Sequence, residues 1–441
     1  MRLPLMLKTD SDDAWLHTQT GALTRGQFLG VVAASAIRLP NRAYAINLCE
    51  DRRNFMAAFS AALIRGQTVL MPSNRSLGAI AEIAAQYPDC YVLSDGQESP
   101  EGLQRFSCAD LPWNAPEVGE VPSIAADHVA AIVFTSGSTG KAVPNAKTWY
   151  SLVKGVEQAQ QRFGFNEQTG IVATVPPQHM YGLETSVLMP MITGAQVFGG
   201  RPFFPEDIRQ ALEVMGHRPV LVTTPIHLRA CVASGLSWPD LEAVISATAP
   251  LDAALAVEAE ALFEAPVLEI YGCTEAGSLA SRQTTRDSAW TLYEGFQLQH
   301  QGGQAIISAD HLDAEVPLSD VLDEVDERHF RLLGRHADML NIAGKRASLV
   351  DLNLKLNAVP GVEDGVIIVP DKNGQVVTRL AALVVAPECS DSQILEALSQ
   401  QLDPVFLPRP IYRVDALPRN ETGKLPRDAL MKLLKQREGH I

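Results

Sequence analysis

The chain has 441 residues, 46% hydrophobic and 20% charged, which is the composition of an ordinary globular protein with enough residues for a large core. Its net charge of -15 and pI of about 5.1 disfavour non-specific binding to nucleic acid. No segment approaches the roughly 18 consecutive apolar residues of a transmembrane helix, so we expect no membrane partner. The six cysteines are scattered without a CxxC pair, which predicts reduced thiols in a cytoplasmic protein and argues against a zinc site.

Short apolar strands alternate with helical segments along most of the chain. Strand 43–48, helix 54–65 and strand 68–71 give the first βαβ pattern, which favours a parallel sheet. The remaining strand patterns of this part are 130–134, 170–175, 219–223, 243–246 and 267–270. The pattern predicts an α/β fold in which covering helices bury mostly parallel sheets.

The last hundred residues have a different pattern. Strands are predicted at 366–369 and 380–385 around a polar turn at 371–374, followed by a helix at 392–402 and a strand at 411–414. This is the pattern of a small α+β unit with its own core. We therefore predict two domains: residues 1–334, which bind ATP and an acid, and a small mobile domain of residues 335–441.

The sharpest local signal is Thr135-Ser136-Gly137-Ser138-Thr139-Gly140-Lys141, directly after an apolar strand. Small hydroxyl residues and glycines let backbone N–H groups approach a phosphate chain, and the lysine adds charge. A P-loop is excluded because it needs a glycine at position 135, and the dinucleotide pattern fails too. An ordinary surface turn remains an alternative when the segment is considered alone.

The loop resembles the ATP-binding loop of the adenylate-forming superfamily, which includes acyl- and aryl-CoA synthetases, peptide-synthetase adenylation domains and luciferases. The resemblance extends in the correct order over nearly the whole chain.

Segment 176–182 resembles the one that borders the carboxylate pocket, and this implies a catalytic and substrate-binding role for His179. Segment 246–251 resembles the small-residue stretch against adenine and substrate, and this implies contacts from Ala247, Thr248 and Ala249. Taken alone, a structural histidine and a simple turn fit these two segments equally well.

Tyr271-Gly272-Cys273-Thr274-Glu275 closely matches the Tyr-Gly-x-Thr-Glu motif of the superfamily. The resemblance implies that Tyr271 stacks on adenine, Thr274 binds the α-phosphate and Glu275 holds Mg²⁺, a cation that prefers oxygen ligands. Asp320 and Arg335 have the separation of the two residues that bind the ribose hydroxyls. Without the resemblance, Asp320 belongs to a solvated acidic stretch.

The C-terminal segments match as well. Segment 334–340 resembles the hinge, with Arg335 and Asp338 as hinge residues, and segment 343–345 resembles a loop that enters for the second half-reaction. Segment 418–425 resembles the loop that carries the catalytic lysine, which is Lys424 here. A lysine between the carboxylate and the α-phosphate offsets charge in the transition state. An exposed lysine on a polar turn is the ordinary alternative.

The chain departs from the superfamily at several places. Ala142-Val143 replaces the usual Pro-Lys after the phosphate loop, and Lys141 and Lys147 are both candidates for the missing role. Ala337 replaces the usual hinge residue. The chain is also short, with an abbreviated N-terminal region and an abbreviated stretch between Glu275 and Asp320.

The resemblance implies an acid–thiol ligase that uses ATP and Mg²⁺ to form an acyl-AMP and passes the acyl group to CoA or to the phosphopantetheine of an acyl carrier protein. An aryl or fatty acid is favoured, because the aspartate that pairs with an amino group in peptide-synthetase domains is absent from segment 179–182; Glu184 is the remaining candidate for that role. Two other functions stay open. One is a non-enzymatic nucleotide- or acyl-AMP-binding regulator of the same fold, and the other is an ATPase without acyl transfer.

Overall fold

The structure is a computed structural model, and it describes residues 1–8, 13–96, 98–136, 142–216, 218–335, 338–342, 345–370, 379–420 and 423–438. The predicted phosphate-loop residues Gly137, Ser138, Thr139, Gly140 and Lys141 lie outside these ranges, and so do the predicted turn 371–374 and residues 336–337, 343–344 and 421–422. Within the described ranges, no helix combines the length and the apolar character needed to cross a bilayer.

The first third of the chain contains a two-stranded sheet, a six-stranded sheet and two strands of the largest sheet. These elements are β1 (Arg2–Pro4), β2 (Ala14–Thr18), β3 (Gly21–Thr24), α1 (Arg25–Arg38), β4 (Tyr44–Asn47), α2 (Arg52–Ile64), β5 (Thr68–Met71), α3 (Leu77–Gln86), β6 (Cys90–Ser94), β7 (Arg105–Ser107), β8 (Ser123–Ala125), β9 (Val129–Ser136), β10 (Ala142–Thr148) and α4 (Trp149–Phe163). The strands predicted at 43–48, 68–71 and 130–134 and the helix predicted at 54–65 are all present, with ends that differ by one or two residues.

The middle of the chain supplies most of the largest sheet. Its elements are β11 (Gly170–Ala173), α5 (Met180–Leu183), a π-helix (Glu184–Leu188), α6 (Met189–Thr193), β12 (Gln196–Phe198), α7 (Pro205–Met215), β13 (Val220–Thr223), α8 (Pro225–Ala233), β14 (Ala243–Ser246), α9 (Ala253–Phe263), β15 (Val267–Cys273), β16 (Gly277–Gln283), β17 (Trp290–Leu292), β18 (Gln297–Gln301), β19 (Gln304–Ser308), β20 (Val316–Pro317), β21 (Asp320–Asp326) and β22 (His329–Arg335).

The described strands form two large sheets. One has the order β10-β9-β5-β4-β6-β7, and the other has the order β21-β22-β17-β16-β15-β14-β13-β11-β12-β2-β3. The pairs among β2, β12, β11, β13, β14 and β15 are parallel, and their interiors are continuous apolar runs because helices cover both faces. The predicted mixed α/β fold is therefore confirmed.

Arg52, at the start of α2, joins the two sheets. Its side chain is fully buried and lies among acceptors of the second sheet and its helices. The acceptors of its three hydrogen bonds are Ser186 Oγ, Gly200 O and Val175 O, at 3.0, 2.6 and 2.7 Å. Because these bonds satisfy acceptors in the interior of the protein, this cation fixes how α2 packs.

The last hundred residues form the small α+β unit that the sequence predicts. Its elements are β23 (Met339–Ile342), β24 (Lys345–Ser348), α10 (Leu349–Asn357), β25 (Asp364–Ile368), β26 (Ala381–Val385), α11 (Asp391–Ser399), a 3₁₀ helix (Pro404–Phe406), β27 (Ile411–Arg413) and α12 (Arg427–Glu438). Two apolar clusters pack on opposite faces of the sheet β25-β26-β27, one of them against α12. The division at residues 334 and 335 stays a prediction.

Candidate active site

The predicted phosphate loop joins the antiparallel strands β9 and β10. Ala142 pairs with Ser136 and Val143 with Thr135, so the five residues outside the described ranges connect the ends of a hairpin. Asn145 on β10 donates to Thr135 Oγ1 at 3.4 Å and to Val133 O at 3.3 Å. The hairpin therefore places the carboxyl end of β9 beside the start of β10.

His179 begins the helical run that follows β11. Its Nδ1 accepts a hydrogen bond from the Tyr181 N–H at 3.3 Å, which caps the N-terminus of α5. Burial and the nearby Lys424 lower the pKa of His179 to about 3. The imidazole is therefore neutral at physiological pH and, because Nδ1 is the acceptor, its proton is on Nε2.

Tyr181 connects this helix to the predicted small-residue segment. Its hydroxyl donates to Ile245 O at 2.9 Å, at the end of β14. Ala247, Thr248 and Ala249 follow directly, and Thr248 has φ of 79°. A non-glycine residue in this region costs about 1–3 kcal/mol, and such strain is concentrated at ligand sites.

The turn after β15 carries Thr274 and Glu275 between two glycines. Gly277 has φ of 80°, and a methyl group on Gly272 would lie 2.3 Å from the Gly277 carbonyl oxygen, so the two strands approach closely. The Glu275 side chain is exposed, while its carbonyl oxygen accepts a hydrogen bond from Lys147 Nζ at 2.5 Å. An exposed carboxylate on a fixed turn suits Mg²⁺, which binds few protein oxygens and completes its shell with phosphate and water.

Lys147 is one of the two lysines that the sequence offered as candidates for the role of the missing Pro-Lys pair. It is 7% exposed, at the end of β10, and its ammonium reaches across to the Glu275 turn. Burial lowers its pKa, whereas Glu184 and other nearby acids raise it. The lysine thus links the phosphate-loop hairpin to the turn that carries Thr274 and Glu275.

Asp320 and Arg335 are directly opposite each other on the antiparallel strands β21 and β22. The two residues, which are fifteen positions apart in the sequence, therefore form a cross-strand pair. The turn between β21 and β22 connects them. The Tyr271 hydroxyl donates to Asp320 Oδ2 at 2.8 Å, and its ring packs against Trp290 and Phe330. The predicted adenine- and ribose-binding residues Tyr271 and Asp320 are thus in contact.

A network of hydrogen bonds holds the backbone around Lys424. Arg419 binds Asp364 through two bonds of 2.8 and 2.6 Å and donates to Gly423 O at 2.6 Å. Asn420 Oδ1 accepts from Lys424 N at 2.8 Å. A bidentate arginine–carboxylate pair is among the stronger hydrogen-bonded contacts, so we infer that Arg419 fixes this loop.

The Lys424 loop lies against the large domain. A methyl group on Gly423, where φ is 77°, would lie 3.0 Å from Ile226 Cγ2 on α8. Lys424 is close enough to His179 to lower the pKa of the imidazole. The fold therefore brings the charge of Lys424 within electrostatic reach of a histidine that is far away in the sequence.

Comparison with known proteins identifies the family. Residues 15–303 match the family described as AMP-binding enzyme. A 4-coumarate–CoA ligase of Halorhodospira halophila is 27% identical over 331 residues, which cover 70% of this chain and 78% of the relative. A 2-succinylbenzoate–CoA ligase of Staphylococcus epidermidis is 24% identical over 336 residues, covering 68% and 69%.

Solved structures agree over the full fold. The o-succinylbenzoate CoA synthetase of Bacillus subtilis, in complex with its acyl-adenylate intermediate, has a TM-score of 0.83 at 16% identity and covers 98% of both chains. ATP-bound MatB of Rhodopseudomonas palustris has a TM-score of 0.77 at 20% identity and covers 97% of both chains. The chain belongs to the AMP-binding enzyme family. It is an adenylate-forming enzyme of the acid–thiol ligase class, as the sequence predicts.

Proposed function

We propose that this enzyme converts a carboxylic acid and ATP to an acyl-AMP and pyrophosphate, and then transfers the acyl group to a thiol. The observation that carries the proposal is the packing of the Lys424 loop against α8, near enough for the Lys424 charge to act on His179, with the Arg419 network holding the loop. His179 can cap α5 without a lysine nearby. Helix capping alone therefore does not explain why the Lys424 charge lies within reach of the imidazole.

In the first half-reaction, a carboxylate oxygen of the acid attacks the α-phosphorus of ATP, and the bond to the pyrophosphate oxygen breaks. The neutral His179 donates its Nε2 proton in a hydrogen bond to the acid and orients it. Lys424 offsets charge on the carboxylate and the α-phosphate, and Thr274 binds the α-phosphate. Mg²⁺, which Glu275 would hold, neutralises phosphate charge when it is bound.

The hairpin of β9 and β10 and the contact between Tyr271 and Asp320 support the nucleotide assignment. Thr135, Ser136 and residues 137–141 would surround the phosphates, Tyr271 and Gly272 the adenine, and Asp320 and Arg335 the ribose. An ionised aspartate accepts hydrogen bonds from both ribose hydroxyls. Lys147 takes the place of the lost loop lysine by holding the Glu275 carbonyl.

In the second half-reaction, a thiolate attacks the acyl-AMP carbonyl and AMP leaves with the electron pair of the broken bond. We propose that the small domain first rotates about Arg335 and Asp338, which withdraws Lys424. Hinge closure of this kind is a known way to separate two chemical steps. CoA is the favoured acceptor, because the relatives described above are named as CoA ligases.

A carrier-protein phosphopantetheine is the second acceptor. Lys432 and Lys435 are exposed on α12, whereas Leu430 and Leu434 are buried beneath them. A basic face on the domain that carries Lys424 suits an acidic carrier protein. The same residues also fit a simply solvated helix face.

An aryl acid is the favoured substrate. Two relatives are named for aromatic acids, 4-coumarate and 2-succinylbenzoate, although their identity to this chain is only 27% and 24%. We place the reaction in the cytoplasm, because all six cysteines are free thiols and five of them are buried, as in a reducing compartment.

The test is acid-dependent pyrophosphate release from ATP and Mg²⁺ with a panel of aryl, fatty and amino acids, after which CoA and a phosphopantetheinylated carrier protein are added separately. Release with an aryl or fatty acid, increased by one thiol, supports the proposal. ATP binding without release for any acid would instead support the non-enzymatic regulator. Phosphate release that does not depend on an acid would support the ATPase.

A further inference from the structure

The turn that carries Thr274 and Glu275 is held on both sides by buried side chains from other parts of the chain. It joins the antiparallel strands β15 and β16, and Gly272 pairs with Ser278 across it. A turn makes few ladder hydrogen bonds of its own, so contacts from outside the hairpin decide how firmly it is fixed. Two such contacts come from β10 and from the π-helix.

Lys147, at the end of β10, holds one side of the turn. Its side chain is 7% exposed, and its Nζ donates to Glu275 O at 2.5 Å. Burial of an ammonium group costs free energy that hydrogen bonds and an opposite charge must offset. A methionine of similar volume would fill the same space without this cost. Packing alone therefore does not explain a lysine at this position.

Glu184, at the start of the π-helix, holds the other side. Its side chain is 6% exposed. Ser278 Oγ donates to Glu184 Oε2 at 2.6 Å, and Ser278 N is 3.2 Å from both carboxylate oxygens. A methyl group on Gly277, where φ is 80°, would lie 2.4 Å from Glu184 Oε1. The glycine therefore gives the carboxylate room to reach the backbone at the start of β16.

The two side chains also stabilise each other, and we call Lys147 and Glu184 the turn clamp. Burial lowers the pKa of Lys147, whereas the charge of Glu184 raises it. Burial likewise raises the pKa of Glu184, whereas the bonds from Ser278 and the charge of Lys147 lower it. The clamp thereby joins the strand after the phosphate loop, the helical run that His179 begins, and the turn between β15 and β16.

A similar contact elsewhere in the chain has no functional motif beside it. Arg25 is 8% exposed, donates to Gly194 O at 2.7 Å and pairs with Glu167 at 3.4 Å. None of these residues is proposed to contact ATP, the acid or Mg²⁺, so we expect Arg25 to stabilise the fold only. The turn clamp differs because the carbonyl that Lys147 binds belongs to Glu275.

We propose that Lys147 and Glu184 are positioning residues for acyl-AMP formation, which fix the turn so that Thr274 and Glu275 are in place for the α-phosphate and for Mg²⁺. This inference rests on the proposed acid-activating function and adds to it two residues that act through the turn. Loss of the clamp should therefore change kcat and the Mg²⁺ requirement, but not the affinity for the acid.

The experiment compares the wild type with Lys147→Met, Lys147→Arg and Glu184→Gln. It measures kcat and KM for the acid in pyrophosphate release, and the Mg²⁺ concentration that gives half-maximal release, which does not depend on how much active enzyme a variant yields. We expect Lys147→Met to lose about tenfold or more in kcat and to need several-fold more Mg²⁺, with the KM for the acid within about twofold of the wild type. Lys147→Arg, which keeps the cation, should recover part of both effects.

A second readout is separate from turnover. Calorimetry without acid gives the gain in ATP affinity that Mg²⁺ produces, and this gain should shrink several-fold in Lys147→Met. Glu184→Gln should show the same changes to a smaller extent, because glutamine still offers an acceptor to Ser278 but no charge to Lys147. The double variant should fall short of the sum of the two single effects, because both residues act through one turn.

Arg25→Met is the matched control. It also removes a buried cation from a backbone carbonyl, so it should lower the thermal unfolding midpoint but keep the wild-type Mg²⁺ requirement. Unchanged kcat and Mg²⁺ requirement in Lys147→Met, or equal changes in Arg25→Met, would overturn the inference while leaving the ligase intact. An effect confined to the KM for the acid would overturn it too. Absence of release by the wild type with every acid would overturn the proposed function instead, and the calorimetric gain would still test the clamp.

Discussion

Gly182, in the middle of α5, allows the helix after His179 to pack against the chain that precedes it. A methyl group there would lie 2.0 Å from the Pro176 carbonyl oxygen and 2.9 Å from its carbon atom. Because carbon and oxygen atoms in contact are about 3.3 Å apart, Gly182→Ala must move α5 by roughly 1.3 Å. Backbone atoms on both sides leave no flexible side chain to absorb this shift.

The displacement has two expected consequences. Overpacking of this kind costs about 1–3 kcal/mol of folding free energy. His179 lies between the two clashing residues, and a misplacement of about 1 Å in a catalytic group can reduce the rate about 10²-fold. We therefore expect Gly182→Ala to lower both the thermal unfolding midpoint and kcat/KM for acid-dependent pyrophosphate release.

Gly78→Ala is the matched control. Gly78 is exposed on α3, and apart from its chain neighbours and the backbone of its own helix, the described part of the chain has no atom within 4 Å of the place that a methyl group on Gly78 would occupy. Alanine there should therefore be neutral or slightly stabilising. If Gly182→Ala matched Gly78→Ala in both the unfolding midpoint and kcat/KM, α5 would have room for a methyl group at Gly182, and the packing described above would be refuted.

Three further outcomes follow from the contacts of the site and core. Asp320→Ala should weaken ATP binding about tenfold or more, measured as the KM for ATP, because it removes the acceptor of the Tyr271 hydroxyl and the proposed acceptor of the ribose hydroxyls. Arg52→Met should lower the stability to urea by about 3 kcal/mol or more, since three buried acceptors lose their donor. Burial lowers the pKa of His227 to about 4, so the imidazole of the unfolded chain is protonated at a higher pH than that of the folded chain. The free energy of unfolding should therefore fall as the pH drops from about 6.5 towards 4, and His227→Asn should lose less stability over that range. An unchanged KM for ATP, an unchanged urea midpoint or an unchanged pH slope, respectively, would contradict these expectations.

Local sequence patterns were sufficient for much of the fold. The apolar strands of the parallel sheets were predictable because buried strands are continuous runs of Val, Ile and Leu, and their ends are marked by glycine, proline and capping residues. The pairing of β2 with β12 was not predictable, because it joins residues far apart in the sequence. The antiparallel strands from β16 to β20 were not predicted from the sequence.

Some residues of the candidate site could likewise be predicted from the sequence, and others could not. Thr274, Glu275 and Lys424 belong to contiguous motifs, and Asp320 has the expected separation from Arg335, so each could be proposed from the sequence. The contact of Lys147 with the Glu275 carbonyl has no motif, since the two residues are 128 positions apart and only folding brings them together. The role of Arg419 was equally hidden, because its partner Asp364 lies in another strand of the small unit.

The most direct test of the proposed mechanism compares acid-dependent pyrophosphate release by the wild type, Lys424→Ala and Lys432→Ala. Both lysines are exposed on the small unit, but only Lys424 of this pair approaches His179. We expect Lys424→Ala to lose at least about 10²-fold in kcat while still binding ATP, and Lys432→Ala to retain wild-type release. Release by Lys424→Ala at the level of Lys432→Ala would contradict the assignment of Lys424 to acyl-AMP formation.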